Sequence, residues 1–139
     1  MAEFGPAEQR GVKLVLPVFG AIEAERVLAQ DGLFAVVGDK FPVTLGHTLI
    51  IPKRAVKRFR ELTEAEKFGL LMWVGWTQEF LTKEHDPPPE DFNLGVNDGP
   101  AAGQTIPQFH VHIIPRRTGD VGDPRGGVRW VIPSKARYW

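Results

Sequence analysis

The chain contains no cysteine among its 139 residues, and this absence excludes several kinds of chemistry. Disulfides, zinc sites built on thiolates and cysteine nucleophiles all require a thiol. The formal net charge is zero, because 17 basic residues balance 17 acidic ones. A neutral chain has no long-range attraction to phosphate backbones or anionic lipids, so we expect no nucleic-acid partner and no membrane partner.

Long apolar runs are also missing. The first 13 residues do not resemble a signal peptide, and no later stretch has the length and apolarity needed to span a bilayer. We therefore expect a soluble cytoplasmic protein. The length suits one domain with a substantial core, so we expect a single domain over 1–139, with 1–20 as a loosely structured lead-in and 118–139 as a C-terminal tail.

Turn-forming residues are plentiful, with 15 glycines and 12 prolines, which favours many short strands. Two apolar runs, 26–29 and 33–37, flank Asp31-Gly32, a pair that favours positive φ, and together they predict a β-hairpin. The other predicted elements before the last strand are strands over 46–52 and 92–97 and a short helical turn within 53–60.

One long helix is predicted between Thr63 and His85. Thr63 and Glu66 have the spacing of a capping box, and the prolines from Pro87 onward end the helix. Its middle, 68–76, is apolar on more than one side instead of along one stripe. Such a helix needs a sheet on one side and a second cover on the other, so we expect a homodimer. The helix and the short strands together predict an α+β domain.

The segment 103–116 reads GQTIPQFHVHIIPR and places two of the four histidines two residues apart. Its apolar residues, mostly β-branched or aromatic, predict a strand. Because side chains alternate along a strand, Gln108, His110 and His112 are expected on one face and the apolar residues between them on the other. Two imidazoles on one face can bind a metal, act as a nucleophile with a partner acid, or hydrogen-bond within a polar patch.

The loop before this strand favours the role of nucleophile for a histidine of the pair. Its glycines offer backbone N–H groups, and these together with the Thr105 hydroxyl can face an anion, which suggests attack at phosphorus by a neutral imidazole. The metal alternative would combine His47, His110 and His112, completed by Asp39. It is the weaker of the two.

Two segments, in this order and separated by the capped helix, resemble the histidine triad (HIT) superfamily. The segment 39–53 reads DKFPVTLGHTLIIPK and is similar to the family's stretch from an acidic residue to Gly-His-x-Leu-φ-φ-Pro-Lys, where φ is apolar. NDGPAAGQT at 97–105, followed by QFHVHII at 108–114, resembles the signature His-φ-His-φ-His-φ-φ. The resemblance covers 26–117, and its Asp-Gly-Pro loop is more similar to the dinucleoside polyphosphate hydrolases than to the phosphoramidases.

The resemblance implies a nucleotide hydrolase or nucleotidyl transferase. Its fold would be a HIT-like antiparallel sheet of about five strands with one long helix, dimerising into a continuous sheet. His110 would attack the α-phosphorus of a dinucleoside polyphosphate or nucleoside phosphoramidate and form a covalent nucleotidyl-histidine. Water would then release a nucleoside monophosphate. His112 would hydrogen-bond the phosphate or leaving-group oxygen, and His47 would support the site.

Seven further residues match positions at which the family binds substrate. These are Asp39 for the ribose hydroxyls, Asn97, Gly103, Gln104 and Thr105 for the phosphate and leaving group, and Val37 and Leu49 for the base pocket. Gln108 stands where the family has the first histidine of the triad. We keep Gln108 in the catalytic set, because an amide donates and accepts hydrogen bonds as that histidine does.

The resemblance implies no required cofactor and no structural metal, although a magnesium complex of the substrate is compatible with it. The alternative function is a nucleotide-binding or interaction protein with little turnover. In the tail, Arg129 and Trp130 are either solvated residues or fold over the partner's site to grip a polyphosphate or a second base.

Overall fold

The computed structural model describes residues 13–139. In chain order its strands and helices are β1 Leu14–Leu16, β2 Gly20–Ile22, β3 Val27–Gln30, β4 Phe34–Gly38, β5 Thr48–Pro52, α1 Glu64–Glu84, β6 Asp91–Gly95, β7 Val111–Arg116 and α2 Pro133–Ala136. Short 3-10 helices span Ala24–Arg26, Phe59–Glu61, Pro100–Ala102 and Gly127–Val131.

Strands β3 to β7 form one antiparallel sheet in the order β3-β4-β5-β7-β6. The last strand in the chain, β7, therefore lies between β5 and β6, and β6 lies at an edge. His112 has Leu49 of β5 as its partner on one side and Gly95 of β6 on the other. The expected α+β fold, with five antiparallel strands and one long helix, is confirmed for the part of the chain that the structure describes.

The start of α1 follows from its capping box, as the sequence predicted. The Thr63 hydroxyl accepts from the Glu66 backbone N–H at 3.1 Å, and the Glu66 carboxylate accepts from the Thr63 N–H at 2.8 Å. Glu66 is buried, and Arg54 donates two hydrogen bonds to its carboxylate. The helix start is therefore held to the segment that follows β5.

The sheet has a different cover on each face. Helix α1 packs on one face, where Trp73 and Leu81 share a core cluster with Ile113. The hairpin β1–β2 packs on the other, where Leu16 and Ile22 share a cluster with Leu49. Because His112 and Leu49 are register partners, their side chains lie on the same face. The histidines therefore lie on the hairpin side.

The expected loose lead-in over 1–20 is wrong where it can be compared. Residues 1–12 lie outside the described residues, but β1 and β2 pair as an antiparallel hairpin. Leu14, Leu16 and Ile22 are buried in it. Here proline and glycine mark the turn of a hairpin, although the sequence suggested irregular structure.

The predicted hairpin around Asp31-Gly32 is present as β3 and β4, but its turn is not the predicted kind. Gly32 does not have positive φ. Instead, one carboxylate oxygen of Asp31 accepts from the N–H groups of Leu33 and Phe34, each at 2.9 Å. The other oxygen accepts from the Trp73 indole at 2.9 Å. A side chain, and not a special backbone conformation, makes this turn.

Helix α1 leaves part of its apolar surface exposed. Phe68 and Leu71 are 71% and 73% exposed, and Met72 is 45% exposed. This surface agrees with the two-sided pattern in the sequence, although the homodimer stays a prediction. Among the described residues, no helix is both long and apolar enough to cross a bilayer.

Candidate active site

His47, His110 and His112 line one cavity of about 680 Å³ on the hairpin side of the sheet, which we call the histidine cavity. Of the other residues predicted from the sequence, Asp39, Leu49, Asn97 and Thr105 also line it. Gly46, with φ of +92°, positions His47. A Cβ on Gly46 would lie 3.0 Å from the His85 ring, so both the backbone and the available space require glycine.

One hydrogen bond determines the tautomer of His110. Its Nδ1 lies 2.8 Å from the backbone carbonyl oxygen of Gln108. Because a carbonyl oxygen only accepts, Nδ1 carries the proton of the neutral ring. The unshared electron pair is therefore on Nε2. The ring also contacts Phe19 edge to face, with the ring centroids 5.3 Å apart.

A chain of hydrogen bonds determines the tautomers of the other two histidines. The Val43 N–H donates to His47 Nδ1 at 3.1 Å, so the proton of neutral His47 is on Nε2. His47 Nε2 lies 2.9 Å from His112 Nδ1, which must accept. His112 therefore carries its proton on Nε2, and that N–H is left as a donor for a ligand.

Burial keeps this chain neutral. Desolvation is the main cause that lowers the pKa of His112 to about 4, and His110 and His47 lower it further. Desolvation also lowers the pKa of His47, although the Asp39 carboxylate opposes the effect. Both rings are therefore neutral at pH 7, as the donor and acceptor roles require.

Asp39 lies at the end of β4 with its carboxylate shared between two partners. One oxygen accepts from the Phe41 N–H at 2.8 Å, and the other lies 3.4 Å from His47 Nε2. Its side chain is 15% exposed. The carboxylate can therefore orient the His47 ring through this contact and still bind a polar group in the histidine cavity.

Ligand atoms of Asp39, His47 and His112 lie within 4.8 Å of one another and are the described group best arranged for a metal ion. This group does not contain His110, so of the three histidines considered from the sequence as metal ligands only His47 and His112 belong to it. Coordination through His47 Nε2 would put the imidazole proton on Nδ1. That proton would point at the Val43 N–H, whose nitrogen lies 3.1 Å from His47 Nδ1, so the hydrogen-bonded arrangement disfavours metal coordination through His47.

The sequence places Gln108 on one strand face with His110 and His112, but the Gln108 side chain is not among the residues that line the histidine cavity. It precedes the first residue of β7, and its side chain is buried. Its amide accepts from the Val56 N–H at 3.0 Å and donates to the carbonyls of Pro52 and Arg54. Gln108 therefore acts on His110 through its own backbone carbonyl, and its side chain holds two chain segments together.

The predicted substrate loop divides into two groups. Asn97 and Thr105 face the histidine cavity, whereas Gly103 and Gln104 are not among its lining residues. The Gln104 amide accepts from Gly99 N–H and donates to the carbonyls of Lys57 and Ile106. Its observed role is to fix the loop.

The two residues predicted to line the base pocket, Val37 and Leu49, differ in their positions. Leu49 lines the histidine cavity, but Val37 is fully buried in the core cluster beneath the hairpin. Both residues lie on the same face of the sheet, because they are register partners. The hairpin covers Val37 and leaves Leu49 at the cavity wall.

The turn between β1 and β2, which forms one wall of the cavity, was not predicted from the sequence. Phe19 N–H donates to the Pro17 carbonyl at 2.7 Å across Val18, whose φ is +66°. A three-residue turn with a β-branched residue at positive φ is strained, and such strain is common at functional sites. The turn places Phe19 against His110. The available signal was the apolar stretch from Leu14 to Ile22, interrupted by the turn-forming residues Pro17 and Gly20.

A model described as the HIT domain matches residues 21–119. The chain is 42% identical over 98 residues to a bis(5'-nucleosyl)-tetraphosphatase [asymmetrical] of Schizosaccharomyces pombe, covering 70% of this chain and 53% of the relative. It is 36% identical over 101 residues to an uncharacterized HIT-like protein of Methanocaldococcus jannaschii, covering 73% of this chain and 75% of the relative.

The crystal structure of the Caenorhabditis elegans NitFhit protein matches with a TM-score of 0.71 and 35% identity, covering 89% of this chain and 28% of that one. In sequence, the chain covers 18% of the nitrilase and fragile histidine triad fusion protein NitFhit. It thus spans about half or less of the length of NitFhit and of the fission-yeast relative. Because the HIT domain model matches most of its length, this chain belongs to the HIT domain family.

Proposed function

We propose that this chain hydrolyses dinucleoside polyphosphates at the α-phosphorus, with His110 Nε2 as the nucleophile. The observation that carries the proposal is the hydrogen bond from His110 Nδ1 to the Gln108 carbonyl, which leaves the Nε2 electron pair free on a ring that lines the cavity. A neutral imidazole with a fixed ring is the form of histidine that can attack phosphorus.

The reaction has two displacement steps. The His110 Nε2 electron pair forms an N–P bond while the P–O bond to the leaving polyphosphate breaks, and the leaving group takes that electron pair. The Nε2 proton of His112 stabilises the phosphate or leaving-group oxygen through a hydrogen bond. Water then attacks the same phosphorus, the N–P bond breaks with its electron pair returning to His110 Nε2, one water proton passes to solvent, and a nucleoside monophosphate leaves. One water molecule is consumed in each cycle.

The names of the relatives support this substrate class. The fission-yeast relative is a bis(5'-nucleosyl)-tetraphosphatase, and a relative in Dictyostelium discoideum is a bis(5'-adenosyl)-triphosphatase. In our scheme Asp39 binds the ribose hydroxyls, Leu49 contacts the base, and Asn97 and Thr105 contact the phosphates. Nucleoside phosphoramidates are a second substrate class for the same nucleophile. Magnesium enters only as a complex with the substrate, and no cofactor is required.

The protein is a homodimer in this proposal. Two features support it: the exposed apolar surface of α1 at Phe68, Leu71 and Met72, and the edge position of β6 in the sheet. An edge strand with unpaired backbone groups can pair with the same strand of a second copy, which would extend the sheet across both subunits.

The test is release of AMP from diadenosine tetraphosphate, with chromatographic detection, by the wild type, His110→Ala and a matched histidine control, His85→Gln. Loss of the nucleophile should lower kcat on the order of 10⁴-fold, whereas the control should keep activity. An adduct with the mass of AMP, trapped on the His110 peptide by rapid quenching in base, would support the covalent step.

Two outcomes would refute parts of this proposal. If His110→Ala retains the wild-type rate, another group is the nucleophile. If the wild type releases no AMP from either a dinucleotide or a phosphoramidate while AMP raises its melting temperature, the protein is a nucleotide-binding protein with little turnover. Melting curves of each variant establish that a lost activity does not come from unfolding.

A further inference from the structure

A second cavity, of about 770 Å³, lies beside the histidine cavity. The link is β7, whose alternate residues share one face of the sheet. His110, just before β7, and His112 line the histidine cavity, whereas Ile114 and Arg116 line the second one. Val43 lines both, so the two cavities share a wall. We call the second one the tail cavity, because the C-terminal residues 120–130 form its far side.

The lining of the tail cavity is mainly apolar. Leu94 and Ile114 contribute from the sheet, and Val128 and Trp130 contribute from the tail. The Trp130 indole N–H donates to the Arg125 carbonyl at 2.9 Å, which restrains the ring. A concave apolar site of this size with an aromatic wall fits a flat, uncharged ring system such as a nucleobase with its sugar.

Two guanidinium groups line the same cavity. Arg116 is occupied by Asp120 and Asn93, which accept its hydrogen bonds at 2.6–2.8 Å. Arg117 donates to the carbonyls of Pro87 and Leu45, but its Nη2 has no hydrogen-bond partner among the described residues. A buried N–H donor without a partner is costly, and a phosphate oxygen would satisfy it.

The contacts of Arg129, which neighbours Trp130, lie within the C-terminal tail of its own chain. Arg129 donates to the carbonyls of Ala136 and Lys135, and its guanidinium lies over the Tyr138 ring. It is therefore used within the tail and is not left free to reach a partner's site. The alternative in which Arg129 grips a polyphosphate there is not supported.

We propose that the tail cavity binds the leaving nucleoside of the dinucleoside polyphosphate, an inference that rests on the proposed function. The first nucleoside would lie at Phe19 and Leu49 with its α-phosphate at His110. The polyphosphate would pass His112, and the second base would lie against Trp130. This order follows one face of β7, with His110 and Ile114 about 13 Å apart along the strand.

The test compares two substrates with the same number of phosphates, diadenosine tetraphosphate and adenosine tetraphosphate. Only the first carries a second nucleoside. Trp130→Leu should raise KM about tenfold for the dinucleotide, lower kcat little, and leave KM for adenosine tetraphosphate unchanged. The matched control is Trp139→Leu, because Trp139 belongs to the same tail but does not line the cavity. It should change neither KM.

A second variant tests the tail cavity independently, in case Trp130→Leu misfolds the tail. Val128 is 66% exposed, so Val128→Trp should fold and fill part of the tail cavity, with the same selective rise in KM. The inference is overturned if wild type has equal KM for both substrates, if Trp130→Leu and Val128→Trp weaken both equally, or if Trp139→Leu acts as Trp130→Leu does.

Binding to His110→Asn, measured by calorimetry, separates this inference from the proposed function. If the wild type hydrolyses neither substrate, the proposed reaction fails. The tail cavity is still tested, because His110→Asn should bind the dinucleotide about tenfold more tightly than adenosine tetraphosphate. Addition of Trp130→Leu should remove that difference. Equal affinity of His110→Asn for the two ligands would overturn the assignment of the tail cavity.

Discussion

A backbone carbonyl, that of Gln108, determines which nitrogen of His110 carries the proton, and a backbone N–H, that of Val43, does the same for His47. The tautomer of His47 in turn determines that of His112, because His47 Nε2 and His112 Nδ1 share a hydrogen bond. The reactive form of each imidazole is thus specified by groups that no side-chain substitution removes directly. At the scale of single residues, the fold therefore determines the tautomer of each histidine in the site.

The low pKa of His112 predicts how stability depends on pH. In the unfolded chain this histidine takes up a proton near pH 6.5, but in the folded protein only near pH 4. Between these values the unfolded state binds more protons, so stability falls as pH falls. From pH 7 to pH 5 the loss should be on the order of 1 kcal/mol, allowing for partial solvent exposure.

Urea unfolding at pH 7, 6 and 5 measures this loss. His112→Asn should flatten the pH dependence, and the slope that remains should come partly from His47, whose pKa is also lowered. The range stops at pH 5 because carboxylates with lowered pKa, such as Glu66, begin to contribute below it. Unchanged pH dependence in His112→Asn would show that this ring is not the source.

At the scale of elements, Gln108 joins the lead into β7 to the segment after β5. Its buried amide satisfies three backbone groups, in Pro52, Arg54 and Val56. Gln108→Ala would leave all three without a partner in a dry environment, and should cost about 2–4 kcal/mol of unfolding free energy. Urea denaturation measures the change.

The chain supplies a matched control in Gln104. Its amide also makes three hydrogen bonds to backbone groups, but it is partly exposed, so water can replace the lost partners. Gln104→Ala should therefore cost about 1 kcal/mol or less. If the two substitutions cost the same, burial is not what makes Gln108 important.

Elements with local signals could be predicted from the sequence, and those that depend on distant partners could not. Helix α1 was predictable because its capping box and its terminating prolines are neighbours in the chain. The β1–β2 hairpin was not, because three-residue strands carry little pattern and are stabilised by packing on β4 and β5. The burial of Gln108 could not be predicted, because the backbone groups that its amide contacts lie more than 50 residues away in the chain.

The same distinction applies to the site. The two histidine segments resemble a known family, so the sequence alone was enough to single out His47, His110 and His112. The contribution of Phe19 and the burial of Val37 depend on where the hairpin packs, which no local pattern specifies. The tail cavity could not be predicted from the sequence either, because it forms only where residues 120–130 fold back beside β6 and β7.

At the scale of the whole molecule, two features are suited to contact with a second copy of the chain. One is the edge strand β6, and the other is the exposed side of α1, where Leu71 and Met72 lie three and four residues after Phe68 and therefore on the same side of the helix. Contiguous apolar surface of this kind marks an interaction site. A second copy related by a two-fold axis presents the same two features, because an isologous dimer uses the same patch on both subunits.

This arrangement predicts that the 15.5 kDa chain sediments as a dimer at micromolar concentration. Leu71→Glu would bury a charge in the interface and should shift the species to monomer, because an unpaired buried carboxylate is costly. Val15→Glu is the matched control, since Val15 is 68% exposed on β1, on the opposite side of the sheet from α1. A monomeric wild type, or equal dissociation by both variants, would contradict the dimer. If Leu71→Glu is a folded monomer that still turns over substrate, each histidine cavity is complete within one chain.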